Sequence, residues 1–322
     1  MEFIKKKILY KEWIYAWLLE KKEYIKESTY ANYSNNIFNH IIPKLGNYYL
    51  RDINHKIIQD FLLELSKSGK KNGDGGLSDK TIKDIVIIIK GSLKKAINDG
   101  KVNHIELTFI YPKKQSNEKI YILSKNEQRK ITNYALNNIN NRNIGILLSL
   151  YSGIRIGELC ALKWDDIDFK KSMLKIDKTI QRIYIKDISK NESKIIITKP
   201  KTKNAYREIP INKDFLLILK QVKTCDNDYV ISGTSKYIEP RTYRKYFEKY
   251  LKIVKINHIN FHSLRHTFAT NCISLGVDYK TVSELLGHAN VNITLNLYVH
   301  PRMSQKKKCI DLVSKVFQEK NL

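Results

Sequence analysis

Side chains that can donate hydrogen bonds to a phosphate are concentrated in the stretch FHSLRHTFAT, which carries His262, Arg265 and His266 within five positions. If this stretch is helical, His262 and Arg265 lie three residues apart and share one face. The buried stripe of the same helix is predicted to consist of apolar residues spaced four apart: Leu264, Phe268 and Cys272. Two cationic side chains at one edge of an anchored helix could reach one anionic target. An isolated H-x-x-R pattern is more often a pair of surface residues with ordinary hydrogen-bond partners. The other motifs of the chain therefore decide whether this one is functional.

A second arginine lies in YSGIRIGELCALKW, where Arg155 stands between Gly153 and Gly157 at the predicted start of a helix. A guanidinium in that place can reach a phosphate that also accepts from the free backbone N–H groups of the helix terminus. Taken alone, a structural ion pair with Glu158 or Asp165 is the better explanation of this arginine.

The stretch TVSELLGHANVNITLNLYVH adds a histidine and a tyrosine. Gly287 is predicted to end a helix, and His288 follows it directly, where its ring can be presented to a ligand. Tyr298 lies ten residues further on, in a short helical segment predicted to be capped by Asn292. A tyrosine usually packs, and this chain has 20 of them. Two arginines, two histidines and one tyrosine together predict phosphoryl transfer, with tyrosine as the covalent nucleophile and no metal.

The composition of the whole chain favours a polyanionic partner. Its 322 residues include 58 Lys and Arg against 32 Asp and Glu, a formal net charge of +26. This excess predicts binding to nucleic acid or to an anionic membrane surface; a Lys-rich surface kept only for solubility is the alternative. The sequence has no apolar run of about 18 residues and no secretory signal, so we expect a cytoplasmic protein. Its four cysteines form no C-x-x-C pair, which argues against zinc or redox chemistry.

The elements that must position these residues fall into two parts. Residues 1–107 are predicted to be helical throughout; TIKDIVIIIKGSLKKAINDG, for example, carries isoleucines at helical spacing with lysines between them. Residues 108–121 are polar, contain proline and are predicted to be a linker. Residues 122–322 are predicted to form a mixed α+β domain that ends in a tail helix. Within it, MLKIDKT, KIIIT and YREIPI alternate in polarity and predict a small three-stranded β-sheet.

The second part resembles the tyrosine recombinases, also called phage integrases. The signature of that family is an arginine, a lysine in a β-hairpin, H-x-x-R, L-G-H and a tyrosine. The chain shows SGIRIGEL, TKPKTKNAYREIPI, HSLRH and ELLGHANVNITLNLY in that order, over roughly residues 122–300. The helical first part is similar to the core-binding, SAM-like domain of the family. The resemblance thus implies a mainly α fold, with an all-helical core-binding domain and an α+β catalytic domain that contains the small sheet.

The resemblance also implies roles for particular residues. Six positions match the catalytic signature: Arg155, Lys201, His262, Arg265, His288 and Tyr298. The two arginines would clamp the scissile phosphate, and the two histidines would donate hydrogen bonds to it and assist proton transfer. Tyr298 would form a 3′-phosphotyrosyl bond, and Lys201 would protonate the leaving 5′-oxygen. Lys199 and Lys203 flank Lys201 and stay open for that role. Glu158 would orient active-site groups, and no cofactor or metal is implied.

The activity implied by the resemblance is site-specific DNA recombination. The expected substrate is double-stranded DNA with paired inverted core sites. A dimer would bind each site, and a tetramer would form when two sites meet. An accessory DNA-bending or directionality factor is a further expected partner, and no membrane is involved. Integration and excision of a mobile element, resolution and inversion all stay open as biological roles.

Two other functions are alternatives to recombination. A type IB topoisomerase-like enzyme would share the active-site chemistry and relax DNA as a monomer, but the short chain, the L-G-H motif and the terminal tail favour recombination. A catalytically inactive DNA-binding regulator is disfavoured because all six catalytic positions are filled. The helical part begins by about residue 8, so no arm-binding module is expected before it. The tail helix is expected to dock on a neighbouring protomer or on its own domain.

Overall fold

The computed structural model describes four long stretches of the chain and a few isolated positions: residues 7–70, 73, 75–111, 120–200, 203–298, 307, 310, 311 and 314. At residues 203 and 296–298 it describes the backbone only. Most of the predicted linker and most of the predicted tail helix lie outside the described residues. None of the helices in the described part is long and apolar enough to cross a membrane.

The chain divides into two compact units, each formed by two segments: Met1–Glu118 with Arg182–Ile195, and Lys119–Gln181 with Ile196–Leu322. The predicted domain boundaries, at 107 and 122, stay predictions. The sequence gives no hint that residues 182–195 group with the helical unit. In that unit Tyr15 Oη donates to Asp187 Oδ1 over 2.7 Å, and Ile185 packs against the apolar core.

Five α-helices build the first unit: α1 (Tyr10–Lys21), α2 (Glu27–Asn36), α3 (Ile42–Leu45), α4 (His55–Ser68) and α5 (Asp79–Asn98). Side-chain caps begin two of them, since Asn54 accepts from Ile57 N and Ser78 accepts from Thr81 N. Helix α5 buries the isoleucine stripe that its spacing predicts, against α1, α2 and α4. The core of this unit is therefore a conventional apolar one.

Within the described residues up to 298, the second unit contains eight α-helices: α6 (Lys125–Asn137), α7 (Asn141–Ser152), α8 (Ile156–Ala161), α9 (Lys213–Lys220), α10 (Pro240–Ile253), α11 (His262–Ser274), α12 (Tyr279–Leu286) and α13 (Val291–Tyr298). Helix α7 is buried on nearly all sides, as its apolar sequence predicts, and α11 packs against it. Helix α6 begins with a capping box, in which Ser124 Oγ accepts from Glu127 N and the Glu127 carboxylate accepts from Ser124 N.

Five short strands complete the fold: β1 (Ile167–Asp168), β2 (Met173–Ile176), β3 (Thr179–Ile185), β4 (Glu192–Thr198) and β5 (Arg207–Pro210). The predicted fold class, mainly α with a small sheet, is confirmed. The strand pairing differs from the expectation, because β1, β2 and β5 form the antiparallel three-stranded sheet while β4 pairs with β3 as a separate hairpin. The sequence-based assignment overlooked β3, which is the nearest partner of β4 along the chain.

Candidate active site

The first predicted arginine is held where α7 turns into α8. Gly153 ends α7 at φ +67°, a left-handed conformation, and a Cβ added there would lie 2.6 Å from Phe268 Cδ1. Arg155 is the N-cap of α8, and its Nη1 donates to Glu158 Oε1 over 2.8 Å. Its Nη2 donates to the carbonyl of Gly287 over 3.2 Å. The Arg155 side chain is still 37% exposed, so part of the guanidinium can receive a ligand.

The second predicted arginine lies deeper than the sequence indicated. Arg265 is only 1% exposed, and its guanidinium donates to Gly153 O over 2.8 Å and to Leu286 O over 2.7 Å. The prediction placed Arg265 on a face apart from the buried stripe and did not anticipate this burial. Phe268 and Cys272, assigned to the buried stripe, are only partly buried. The reason is that two turns distant in sequence offer carbonyls to α11, so a charged residue can occupy a core position.

His262 stands at the start of α11, with part of its ring exposed. Its ring meets that of His266 edge to face, with 4.6 Å between the centroids. Burial of the rest of the ring, together with the positive charges of His266, Arg265 and Arg155, lowers the pKa of His262 to about 4. At neutral pH this imidazole is therefore neutral and carries one N–H donor.

His288 follows the end of α12, where Gly287 has φ +64° and forms the predicted C-cap. The imidazole is buried, and its Nδ1 lies 2.8 Å from the hydroxyl of Thr294 in α13. Burial and the charges of Arg265 and Arg155 lower the pKa of His288 to about 3. The Thr294 contact occupies one ring nitrogen, so Nε2 is the nitrogen that can face a ligand.

The cap of α13 differs from the prediction. The side chain of Asn290, not that of Asn292, accepts a backbone hydrogen bond, from Asn292 N over 2.9 Å. Both residues are suitable caps, and the helix begins at Val291, one residue before the predicted cap.

A buried ion pair lies beneath these residues. Arg207, the first residue of β5, donates from Nη1 and Nη2 to the two oxygens of Glu158, over 3.2 and 2.9 Å, and both side chains are only 6% exposed. Burial alone would raise the pKa of Glu158, but the hydrogen bonds and charge of Arg207 and the charge of Arg155 lower it to about 2. Glu158 thus contacts both Arg155 and Arg207, and its predicted role of orienting active-site groups stays a prediction.

The structure thus brings together five of the predicted site residues: Arg155, Glu158, His262, Arg265 and His288. Lys201 lies outside the described residues, in the segment between β4 and β5, so its predicted role stays a prediction. Tyr298 is the last residue of α13, and the structure describes its backbone only. Among the described residues, no group of three or more His, Cys, Asp and Glu is arranged to hold a metal ion.

Sequence reasoning missed three residues that hold the site together: Asn204, Arg207 and Thr294. A signal for Arg207 was available, because the alternation of β5 places it on the same buried face as Ile209. An arginine at such a position needs a partner. Nothing in the sequence indicated that Thr294 would meet His288.

The guanidiniums of Arg155 and Arg265 meet the imidazole of His288 at the turn Leu286–His288, called the L-G-H turn below, an arrangement of donors that suits a phosphate ligand. Comparison with known proteins specifies the class of protein. The family model described as "Phage integrase family" matches residues 114–305, and that described as "Phage integrase, N-terminal SAM-like domain" matches residues 9–66. The chain therefore belongs to the phage integrase family and is a tyrosine-type site-specific recombinase.

Individual relatives agree with this assignment. The chain is 29% identical to a "Tyrosine recombinase XerC-like" protein of Caldanaerobacter subterraneus subsp. tengcongensis, with 94% of this chain and 82% of that protein covered. The fold is similar to that of the Tn1549 transposon integrase in complex with a circular intermediate DNA, with a TM-score of 0.72, 19% identity and 95% and 99% of the two chains covered. It is also similar to a lambda integrase tetramer bound to a Holliday junction, with a TM-score of 0.61, 20% identity and 92% and 80% covered.

Proposed function

We propose that this recombinase cuts and rejoins DNA through a 3′-phosphotyrosyl bond to Tyr298, as the integrase of a mobile element. The observation that carries the proposal is the convergence of Arg155, Arg265 and His288 on one turn. Helix α13 begins just after that turn and ends at Tyr298. Attack by Tyr298 Oη on phosphorus would release the 5′-oxygen of the next nucleotide, and the reverse reaction would rejoin a strand without ATP.

The two arginines would stabilise the transition state. The phosphodiester carries one negative charge and gains a second in the pentavalent transition state, so donors fixed beforehand act most strongly at that stage. Arg265 is held by two carbonyls, so the orientation of its guanidinium is fixed before DNA binds. Arg155 has an exposed part that a non-bridging oxygen can approach. Loss of one such donor typically slows catalysis by about 10²–10³-fold.

The histidines would act as neutral donors in the free enzyme. With pKa values of about 4 and 3, His262 and His288 carry no charge near pH 7. A bound phosphate would favour their protonated forms, so each could donate to phosphate and also take part in moving the proton of Tyr298. Tyrosine has a free pKa of about 10, and this proton must leave during attack.

The remaining parts of the proposal rest on the sequence and on the relatives. Lys201 is the proposed general acid for the 5′-oxygen. Double-stranded DNA with paired inverted core sites is the proposed substrate, bound by a dimer at each site and by a tetramer in synapsis. The tetrameric lambda integrase on a Holliday junction supports that assembly. The proposed place of action is the cytoplasm, where bacterial DNA lies, with an accessory DNA-bending or directionality factor as a further partner.

Trapping the covalent intermediate tests the proposal. A DNA duplex would first be selected from a randomised pool by binding to the wild-type protein, and then nicked beside the cleavage position so that the released fragment diffuses away. We expect a denaturation-resistant protein–DNA adduct, with mass spectrometry placing the linked nucleotide on Tyr298. Tight binding without an adduct would instead indicate an inactive regulator. Relaxation of a supercoiled plasmid that lacks the selected site would indicate a topoisomerase-like enzyme.

A further inference from the structure

Three successive carbonyls at the end of α12 each accept a hydrogen bond from a different arginine. The pairs are Arg207 Nε with Leu285 O at 2.7 Å, Arg265 Nη2 with Leu286 O at 2.7 Å, and Arg155 Nη2 with Gly287 O at 3.2 Å. The last carbonyls of a helix have no partner within the helix, and that end carries partial negative charge. Cationic donors therefore fix this turn in place. Two of the three arginines belong to the predicted catalytic set, whereas Arg207 does not.

Arg207 has a second set of contacts, which connects it through Glu158 to Arg155. Its two terminal nitrogens hold both oxygens of Glu158. Glu158 in turn accepts from the backbone N of Arg155 over 2.9 Å and from Nη1 of its side chain over 2.8 Å. The guanidinium of Arg207 thus holds a carbonyl of the turn directly. It also holds the carboxylate of Glu158, which in turn binds the partly exposed Arg155. A lysine at position 207 has a single ammonium group, so it could make one of these contacts but not all three made by Nε, Nη1 and Nη2 of the planar guanidinium.

The residues just before Arg207 contact the same turn. Asn204 Nδ2 lies 3.2 Å from His288 O and 3.3 Å from Ala289 O. A Cβ added to Gly287 would come within 2.9 Å of Asn204 O and 3.0 Å of Arg207 Nη1. The segment Asn204–Arg207 and the L-G-H turn are therefore packed without space between them.

We propose that Arg207 is a positioning residue for DNA strand cleavage, which fixes the L-G-H turn and the Glu158 carboxylate so that His288 and Arg155 are placed for the scissile phosphate. Arg207 itself touches no reacting atom. The inference rests on the proposed function of His288 and Arg155. Its first test is nevertheless independent of any DNA.

That first test measures hydrogen exchange of the free protein. The amides of Gly287 and His288 donate to Glu284 O and Ser283 O over 2.9 and 3.0 Å, so they report directly on the turn. In Arg207→Met we expect exchange in the peptide containing the turn to accelerate at least about 10-fold, with α7 unchanged. Arg142→Met is the matched control, because Arg142 is exposed and lies over the Tyr246 ring in the same unit. Unchanged protection of the turn in Arg207→Met would overturn the proposal.

The second test measures cleavage of the selected, nicked duplex. We expect Arg207→Met to form adduct about 10²-fold more slowly, because the placement of two donors is lost, while the Kd for the duplex changes by less than about 3-fold. Arg207→Lys should recover part of the rate, and Arg142→Met should leave it unchanged. A normal cleavage rate in Arg207→Met, even with faster exchange in the turn, would show that the contact is only structural.

The pH dependence of cleavage separates positioning from a general loss of folded protein. Without Arg207, the buried Glu158 loses its largest stabilising partner, so its pKa rises and it is protonated at higher pH. The Arg207→Met rate should therefore fall further below wild type as the pH is lowered from about 7 to about 5, and Arg207→Met/Glu158→Gln should lack this extra fall. A loss equal at every pH would contradict the proposal.

The two proposals fail in different ways. If the wild-type protein binds the duplex but forms no adduct, the proposed function is wrong and the cleavage role of Arg207 falls with it. The exchange experiment would then still decide whether Arg207 fixes the turn. If wild type forms adduct on Tyr298 and Arg207→Met behaves like wild type, the proposed function stands and the role of Arg207 is refuted.

Discussion

Helices α5 and α11 both have a buried face, but that of α5 is almost wholly apolar whereas that of α11 includes a charged side chain. Helix α5 in the first unit covers its buried face with apolar side chains, among them Ile85, Ile88 and Ile89, all fully buried. Helix α11 in the second unit buries Leu264 next to Arg265, with only 1% of the arginine exposed. An isoleucine is accommodated by any apolar neighbours that fill the space. The arginine needs particular carbonyls in particular places.

The energetic consequences of the two kinds of burial differ. Removal of a buried isoleucine side chain loses transfer free energy and leaves a cavity, at about 2–5 kcal/mol. A buried charge costs free energy to desolvate, which its hydrogen bonds offset, so its net contribution to stability is small. Apolar burial in α5 therefore stabilises the fold, whereas burial of Arg265 adds little stability and places a charge where the proposed function needs one.

The largest expected effect removes chemistry and leaves both kinds of burial unchanged. Tyr298→Phe lacks only the proposed nucleophilic hydroxyl, so adduct formation should fall by at least about 10⁴-fold, to the limit of detection. Thermal unfolding and the Kd for the selected duplex should stay close to wild type. The measurement is the denaturing-gel assay of the nicked duplex, and adduct formed by Tyr298→Phe would mean that another tyrosine is the nucleophile.

The next effect separates the two helices directly. Arg265→Met replaces the charge by an apolar chain of similar length, so cleavage should fall by about 10²–10³-fold. The carbonyls of Gly153 and Leu286 lose their donor, which should lower the free energy of unfolding by about 1–3 kcal/mol. Ile89→Ala in α5 should instead lower the free energy of unfolding by about 2–5 kcal/mol, with normal cleavage by the protein that stays folded. Urea unfolding and single-turnover cleavage measure both. Normal cleavage by folded Arg265→Met, or slow cleavage by folded Ile89→Ala, would refute the distinction.

The sequence predicts the apolar helix α5 better than it predicts the buried arginine of α11. Periodicity alone located α5, because an apolar stripe depends on local spacing. The same reasoning placed Arg265 outside the buried stripe of α11 and did not predict its burial, since the carbonyls of Gly153 and Leu286 come from distant turns. Resemblance to a family supplied the catalytic positions, but it gave no reason to notice Arg207, whose contacts are with residues 49 and 78 positions away.

A moderate effect concerns the lysine for which the sequence is the sole guide. Lys201→Ala should slow cleavage by about 10²-fold, the lower end of the range for general acid catalysis, because the leaving 5′-oxygen needs a proton. A 5′-bridging phosphorothioate has a leaving group that needs none, so it should restore most of the rate to Lys201→Ala. It should not restore Tyr298→Phe, which has no nucleophile. Rescue of Lys199→Ala or Lys203→Ala in place of Lys201→Ala would move the general acid to that lysine.

The smallest effect is the pH dependence of stability that His288 contributes, which the apolar helix α5 lacks. The pKa of His288 is about 3 in the folded protein, against about 6.5 for an unperturbed histidine. Between these values the unfolded chain binds the proton and the folded chain does not. The contribution of His288 to the free energy of unfolding therefore declines as the pH falls, by up to about 1.4 kcal/mol per pH unit.

His288→Gln should reduce the slope of the stability profile between about pH 6.5 and 4.5. Part of the slope should persist, because His262 also has a lowered pKa, of about 4, while Glu158, with its pKa of about 2, stays ionised in the folded protein. Ile89→Ala should lower the whole profile by the same amount at every pH, since no titrating group is removed. Urea unfolding at a series of pH values gives both curves. If His288→Gln keeps the wild-type slope while Ile89→Ala shifts in parallel, the buried imidazole does not exchange its proton on unfolding. In that case its neutral state in the free enzyme, on which the proposed donor role rests, would be refuted.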